Sequence, residues 1–105
     1  MEKMVKKRRS RHKKRGQIAA RKRRRLREDA APGRGVTPED RRRIFAYYGR
    51  QCLVCGTRRS LVLDHVTPLF LGGRHDPDNL QVLCWSCNTK KGLKIRDYRP
   101  KPWYY

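Results

Sequence analysis

The chain has 105 residues, 36% of them apolar, enough for one small domain and not for two. Its 29 lysines and arginines outweigh nine acidic residues for a formal charge of +20, which favours a polyanionic partner, nucleic acid first, and says little about fold. A membrane is not among the expected partners: the apolar residues do not gather on one face of a basic helix, and no apolar run approaches the roughly 18 residues of a span. The N-terminus lacks the apolar centre of a secretory signal, so the expected setting is reducing and cytoplasmic.

Residues 1–35 read as a basic arm ending in a hinge. The first 30 positions hold 15 lysines and arginines against Glu2, Glu28 and Asp29. Val5, Ile18, Ala19, Ala20 and Leu26 are too sparse to build a core. Residues 21–28 have helix-forming composition, but like charges at helical spacing weaken an isolated helix, so the arm is expected to order only against phosphate. A solubilising tail or a localisation signal has the same composition. Pro32-Gly33-Arg34-Gly35 reads as the hinge.

Thr37-Pro38-Glu39-Asp40 has the form of a helix start: a capping threonine, proline at the first helical position and an acid three residues after the cap. The helix is expected over 38–48, with Ile44, Phe45 and Tyr48 on one face and Gly49 as the left-handed stop. Residues 60–66 form the best strand, and 80–83 a shorter partner. Leu69-Phe70-Leu71 is an apolar run expected to bury, and Gly72 to Asn79 a polar excursion. A second helix is expected from Cys84 to Lys91, stopped by Gly92, with Leu93, Ile95 and Tyr98 packing back on the core. Residues 100–105, rich in proline and aromatics, form a tail without an assigned role.

Two CxxC pairs, Cys52/Cys55 and Cys84/Cys87, bracket this stretch. Thiolates paired at two-residue spacing and repeated at long range suit a structural Zn²⁺ held by four sulfurs. Two disulfides, in any of three connectivities, are the other use of four cysteines, disfavoured without a secretory signal. Zinc also suits the size, since a foldable region of roughly 60 residues nearly cancels burial against chain entropy. A structural zinc can supply on the order of 10–16 kcal/mol.

Between and after the pairs lie Leu63-Asp64-His65-Val66, Gly72-Gly73, and Asn79-Leu80-Gln81-Val82-Leu83-Cys84-Trp85-Ser86-Cys87-Asn88-Thr89-Lys90-Lys91-Gly92. In order, spacing and flanking chemistry this resembles the core signature of HNH endonucleases of the cysteine-bracketed, zinc-containing, phage-like kind. The resemblance implies a small α+β zinc-stabilised domain over 36–99: a ββα-metal finger with a preceding helix. It implies a metal-dependent DNA endonuclease that hydrolyses phosphodiesters to 5′-phosphate and 3′-hydroxyl ends. It makes Asp64 a ligand of the catalytic metal, His65 the general base, Asn79 the residue that steadies the loop and orients the base, and Asn88 the second protein ligand. Where some relatives carry a further histidine this chain has Gly92, so one carboxylate, one amide oxygen and waters would hold Mg²⁺ or Mn²⁺. The implied partner is duplex DNA. A phage terminase or another DNA-processing protein is a further one, which would place a phage-encoded chain in the host cytoplasm.

Asp64 and His65 are adjacent, and in a flat strand neighbouring side chains face opposite ways, so a sharp turn near His65 is expected if both serve one site. Arg74, Lys90, Lys91 and Lys94 are candidate phosphate contacts, with Arg41, Arg42 and Arg43 behind them. His12 has no role, and His75 reads as loop surface, with substrate contact or proton shuttling as its other uses. The rival function is a non-catalytic zinc-binding nucleic-acid module, against which the trio of Asp64, His65 and Asn88 argues. An RNA-binding or ribosome-associated protein is what the arm alone would suggest.

Overall fold

A computed structural model describes residues 19–100. The expectations on 1–18 and 101–105, including His12 and the terminal aromatics, lie outside the described residues. The chain divides into two compact units, Met1–Ala30 and Ala31–Tyr105.

In the first unit, residues 19–30 form a helix, α1, where the composition suggests order only against phosphate. Its alanines, arginines and leucine favour the helical state, and Arg24 Nε approaches Glu28 Oε1 at 3.9 Å, one turn on. Leu26 is exposed, so this helix buries no apolar face of its own.

The second unit runs α2 (Pro38–Tyr47), β1 (Leu61–His65), two 3₁₀ turns (Leu69–Leu71 and Pro77–Asn79), β2 (Leu80–Cys84) and α3 (Trp85–Lys91). This is a small α+β domain of ββα form with one helix in front. Thr37 caps α2 in a reciprocal box: its hydroxyl accepts from Asp40 N at 3.0 Å, and Asp40 Oδ2 accepts from Thr37 N at 2.9 Å. Asp40 also takes both forks of Arg34, at 2.9 and 3.1 Å, and these bonds hold its carboxyl well below the usual carboxylate range. The chain leaves α2 through Gly49, at φ 74°, as its position after the last periodic residue suggests.

β1 and β2 form an antiparallel hairpin with Leu61 opposite Cys84, Leu63 opposite Val82, Asp64 opposite Gln81 and His65 opposite Leu80. The core is small. Ile44 and Tyr48 of the α2 end pack on Leu80 and Val82, with Phe45, Leu53, Leu61 and Leu63 partly buried around them. Leu83 packs separately against Cys52 and Cys84.

Two apolar groups depart from expectation. Phe70 is 79% exposed and Leu71 is exposed beside it: Leu69–Leu71 is a single 3₁₀ turn between Pro68 and Gly72, and none of the described elements covers it. Leu93, Ile95 and Tyr98 are exposed as well. The segment after Gly92 docks through its backbone instead: Gln81 Nε2 donates to Arg96 O at 2.8 Å, and Tyr98 N donates to Gln81 Oε1 at 2.8 Å. A buried side-chain amide thus holds that segment where apolar packing was expected.

Candidate active site and metal centre

The four cysteine sulfurs lie within 4.8 Å of one another, and Cys55 Sγ and Cys84 Sγ are 3.7 Å apart. A tetrahedron with metal–sulfur bonds of about 2.3 Å has edges of about 3.8 Å. The cluster therefore has the dimensions of a four-sulfur metal site, and none of the cysteines is in a disulfide. Local folding builds it. The turn after Cys52 aims the N–H groups of Val54 and Cys55 at Cys52 Sγ (3.4 and 3.5 Å), and Cys84, capping α3, accepts from Cys87 N at 3.4 Å. Gly56, at φ 77°, lets the chain reverse behind Cys55.

The protonation chemistry of the sulfurs fits a cation. Burial pushes the Cys52 thiol up, but the N–H groups of Cys55, Cys84 and Val54 outweigh it and bring it down to about 6. Cys87 is pushed up to about 12, first by its hydrogen bond with Cys84 and then by burial and the other sulfurs. Four sulfurs this close cannot all ionise against one another; a dication in their midst removes that repulsion.

At the other end of the hairpin lie the polar residues of the motif. His65 ends β1, paired opposite Leu80, and the bend expected near it follows at once, at Val66 and Thr67, where Val66 N donates to Asn79 O at 2.8 Å. The side chains of the two neighbours have separate surroundings. Asp64 meets Gln81 and Lys91. His65 meets His75, with Nε2 of one ring 3.0 Å from Nδ1 of the other and the rings tilted at 52°.

Asp64 is buried, and so are its partners. Gln81 Nε2 donates to Asp64 Oδ2 at 2.9 Å, and Lys91 Nζ lies 3.2 Å from Oδ2 and 3.4 Å from Oδ1. Burial pushes the Asp64 carboxyl up, opposed by the Gln81 hydrogen bond and the Lys91 charge. Lys91 is only 3% exposed, and its ammonium also donates to the His65 carbonyl at 3.0 Å. Lys91, expected as a phosphate contact, is turned inward, because α3 packs its last turn against β1.

Asn79 fastens the intervening loop. Its amide donates to Thr67 O and Arg74 O at 2.9 and 2.8 Å, and its oxygen accepts from Thr67 N at 2.9 Å. Gly73 is required there, since a Cβ would stand 1.9 Å from Thr67 O. Asn88 is half-buried on α3, and among the described residues no hydrogen bond joins it to Asp64. Of the remaining candidates, Arg74 pairs with Asp76 at 2.9 Å while staying exposed, and Lys90 and Lys94 are exposed. Lys90, Lys91, Lys94, Arg96 and Tyr98 line an open cavity of about 210 Å³ beside the sulfur cluster. Sequence reasoning missed Gln81, Arg96 and the pairing of His75. A glutamine in the apolar run from Leu80 to Leu83 was the available signal for the first.

Among known protein families, residues 52–94 match the HNH endonuclease family, a stretch that includes all four cysteines and every motif residue from Asp64 to Lys91. No curated protein and no solved structure matches the chain.

Proposed function

We propose that this chain, whose residues 52–94 form an HNH endonuclease domain, is a metal-dependent endonuclease acting on duplex DNA. The observation that carries the reading is that Asp64, His65 and Asn88, the residues the motif requires, lie in the β1–β2–α3 unit matched to that family. In this reading His65 takes a proton from water, the water oxygen attacks phosphorus, the bond to the 3′ oxygen breaks, and solvent protonates that oxygen. Imidazole suits the task because its ordinary pKa lies near neutrality.

Zn²⁺ belongs to Cys52, Cys55, Cys84 and Cys87, whose spacing it fits, and its role is to fold the domain. For the catalytic ion the reading takes the carboxylate of Asp64 and the amide oxygen of Asn88, hard oxygens of the kind that hold Mg²⁺ or Mn²⁺. In the structure Asp64 Oδ2 lies 3.2 Å from the buried Lys91 ammonium, so the lysine would have to give way to a bound ion. A divalent ion held by Asp64 and Asn88 would neutralise charge developing on phosphorus and the leaving oxygen. Asn79 and Gly73 hold the loop that carries His75 beside His65, and the exposed cations Lys90, Lys94, Arg96 and Arg74 supply sequence-independent phosphate attraction. Such backbone contacts position a duplex without reading bases, so low sequence specificity is part of this reading.

The test is incubation of purified protein with supercoiled and linear DNA, with and without added Mg²⁺ or Mn²⁺, alongside His65→Ala and Asp64→Ala. Metal-dependent nicking by the wild type, lost in both variants while DNA binding persists, is the expected result. A base contributes typically 10²–10⁴-fold, so His65→Ala should fall by that order. Binding without cutting in either metal would instead favour a non-catalytic zinc-binding nucleic-acid module.

A further inference from the structure

We propose that the open cavity between α3 and the segment after it holds one unpaired nucleotide of a DNA strand. Tyr98 stacks on the base, and Lys90, Lys94 and Arg96 hold the phosphate. The inference deepens the nuclease reading and rests on its choice of DNA as partner, since it names the form preferred: duplex that carries a single-stranded nucleotide.

Three segments build the cavity of about 210 Å³. Cys87, Lys90 and Lys91 stand three and four apart on α3 and so share one face of it. Lys94, Arg96 and Tyr98 come from the segment after the helix, and Val54 from the first cysteine turn. The segment after the helix is held firmly. Gln81, fully buried, donates through Nε2 to Arg96 O at 2.8 Å and accepts from Tyr98 N on Oε1 at 2.8 Å. Arg99 Nη1 then donates to Asp78 O at 2.6 Å. The backbone around Tyr98 is therefore fixed to β2 and to the turn before it, while its side chain stays 37% exposed.

The lining selects the ligand. Lys90, Lys94 and Arg96 are exposed, and none of the described residues that line the cavity is acidic, so an anion is favoured. Lys91 lines it too, but its ammonium is engaged by Asp64 Oδ2 at 3.2 Å and the His65 carbonyl at 3.0 Å. Inorganic phosphate or a duplex backbone would need the cations alone. Val54 and Tyr98, both exposed, add apolar surface that a phosphate does not use. A flat ring joined to a phosphate uses both. The volume is below the roughly 300–1,000 Å³ of sites for drug-sized molecules, so it suits one such unit. A basic groove with an aromatic platform is the general construction of single-strand sites. In intact duplex each base is paired and stacked, so the nucleotide must come from an overhang, a gap or a frayed end. Gln81 and Lys91 also tie the cavity to the candidate active site, since both contact Asp64 Oδ2, at 2.9 and 3.2 Å. A nucleotide in the cavity is thus separated from that carboxylate by one lysine side chain.

The experiment measures fluorescence anisotropy of one labelled duplex in three forms: blunt, with a short overhang, and with the same overhang made abasic, which keeps the phosphates and removes the bases. The protein is full-length and zinc-loaded, and Mg²⁺ and Mn²⁺ are left out, so binding is read without cleavage. Stacking of a base on an aromatic ring corresponds to about 5–150-fold in affinity, and the base-bearing overhang should bind tighter than the abasic one by that order. Tyr98→Ala should remove the difference; Tyr98→Phe, which keeps the ring, should retain it. Melting temperature and zinc content check that each variant is folded. A second reading needs no variant: 5-iodouracil in the overhang, photocrosslinked to the wild type, should label Tyr98. Equal binding of base-bearing and abasic overhangs by the wild type would overturn the proposal. So would a difference that survives in folded Tyr98→Ala, or a crosslink confined to residues 1–35 or 101–105. Displacement by free deoxyadenosine monophosphate as effective as that by unlabelled overhang duplex would overturn the DNA strand as the source, in favour of a free nucleotide. The nuclease reading fails separately. Overhang preference without cutting in Mg²⁺ or Mn²⁺ sinks that reading and keeps the cavity, and cutting without the preference sinks the cavity alone.

Discussion

Lys91→Met should be among the most destabilising single substitutions in the domain. The ammonium is buried, lies 3.2 Å from Asp64 Oδ2, and donates to the His65 carbonyl, so its removal leaves a buried carboxylate with Gln81 as its remaining donor. Breaking a buried pair from one side costs about 3–5 kcal/mol. A fold of this size has on the order of 4–11 kcal/mol in total, so about a quarter or more of its stability is at stake. At about 4–8 °C per kcal/mol, the melting temperature should fall by at least 12 °C. The measurement is thermal and urea unfolding of Lys91→Met, Asp64→Asn and the double variant at fixed free zinc, closed as a double-mutant cycle. The double variant should recover much of the loss, since neither charge is then left alone. The pH dependence has a definite sign. Burial raises the Asp64 carboxyl in the fold, so its ionised form costs stability as pH rises through that raised value. Without Lys91 the cost grows, so the gap between Lys91→Met and wild type should be full at neutral pH. It should narrow as pH falls toward the free-carboxylate value of about 4. A loss below about 1 kcal/mol, flat with pH, would mean that the pair behaves like a solvent-exposed one and would refute the reasoning.

Cys52→Ser should unfold the domain or render it insoluble, and elemental analysis of the wild type should find one zinc per chain, since the sulfurs already have tetrahedral dimensions. Asp40→Asn should cost about 1–2 kcal/mol at pH 7 through loss of the capping box. Because the Asp40 carboxyl is held low in the fold, that difference should persist above its unfolded value of about 4 and close as pH falls toward the folded one, as read by paired melts. Gly73→Ala should cost about 1–3 kcal/mol and impair cleavage, because the loop must move to relieve the clash with Thr67 O. Deleting residues 1–30 should flatten the slope of log affinity against log salt by about 5 if six of its 15 cations engage phosphate, at about 0.9 each, with saturated cleavage retained. An unchanged slope in a salt series would exclude the arm from DNA binding.

What was legible in the sequence was local or covalently spaced. The Thr37–Asp40 cap, the Gly49 stop and the two CxxC knuckles each depend on residues within a few positions, and the structure forms each of them. The hairpin was legible because Leu61–Leu63 and Leu80–Leu83 are short apolar runs with turn residues between. The Asp64–Gln81–Lys91 network was not, because it needs the strand register and the length of α3 together: one sets Asp64 opposite Gln81, the other brings Lys91 beneath both. The hydrogen bonds of Pro32 and Gly35 with the His75 backbone were hidden for a similar reason. Glycine and proline at 32–35 signal a break in regular structure, and composition does not distinguish a free hinge from a segment pressed against another loop. The apolar residues at 69–71 and 93–98 misled in the opposite sense, since hydrophobicity predicts burial only where an element exists to cover them.

The seven residues of α3 explain why these features come together. A helix of this length does not persist in water, because two turns return too few bonds for the cost of nucleation. It is held at both ends by interactions outside itself. Cys84 and Cys87 fasten its first turn to the sulfur cluster, and Lys91, four residues after Cys87, fastens its last turn to Asp64 and the His65 carbonyl on β1. Asn88 lies between the two fixings, so its position is set by both. A metal held by the four sulfurs and the Asp64–Lys91 ion pair would therefore be two halves of one clamp on the helix that carries Asn88. Zinc loss and Lys91→Met should then converge on the same structural failure, fraying of α3 from opposite ends, which hydrogen exchange at the α3 amides can resolve turn by turn.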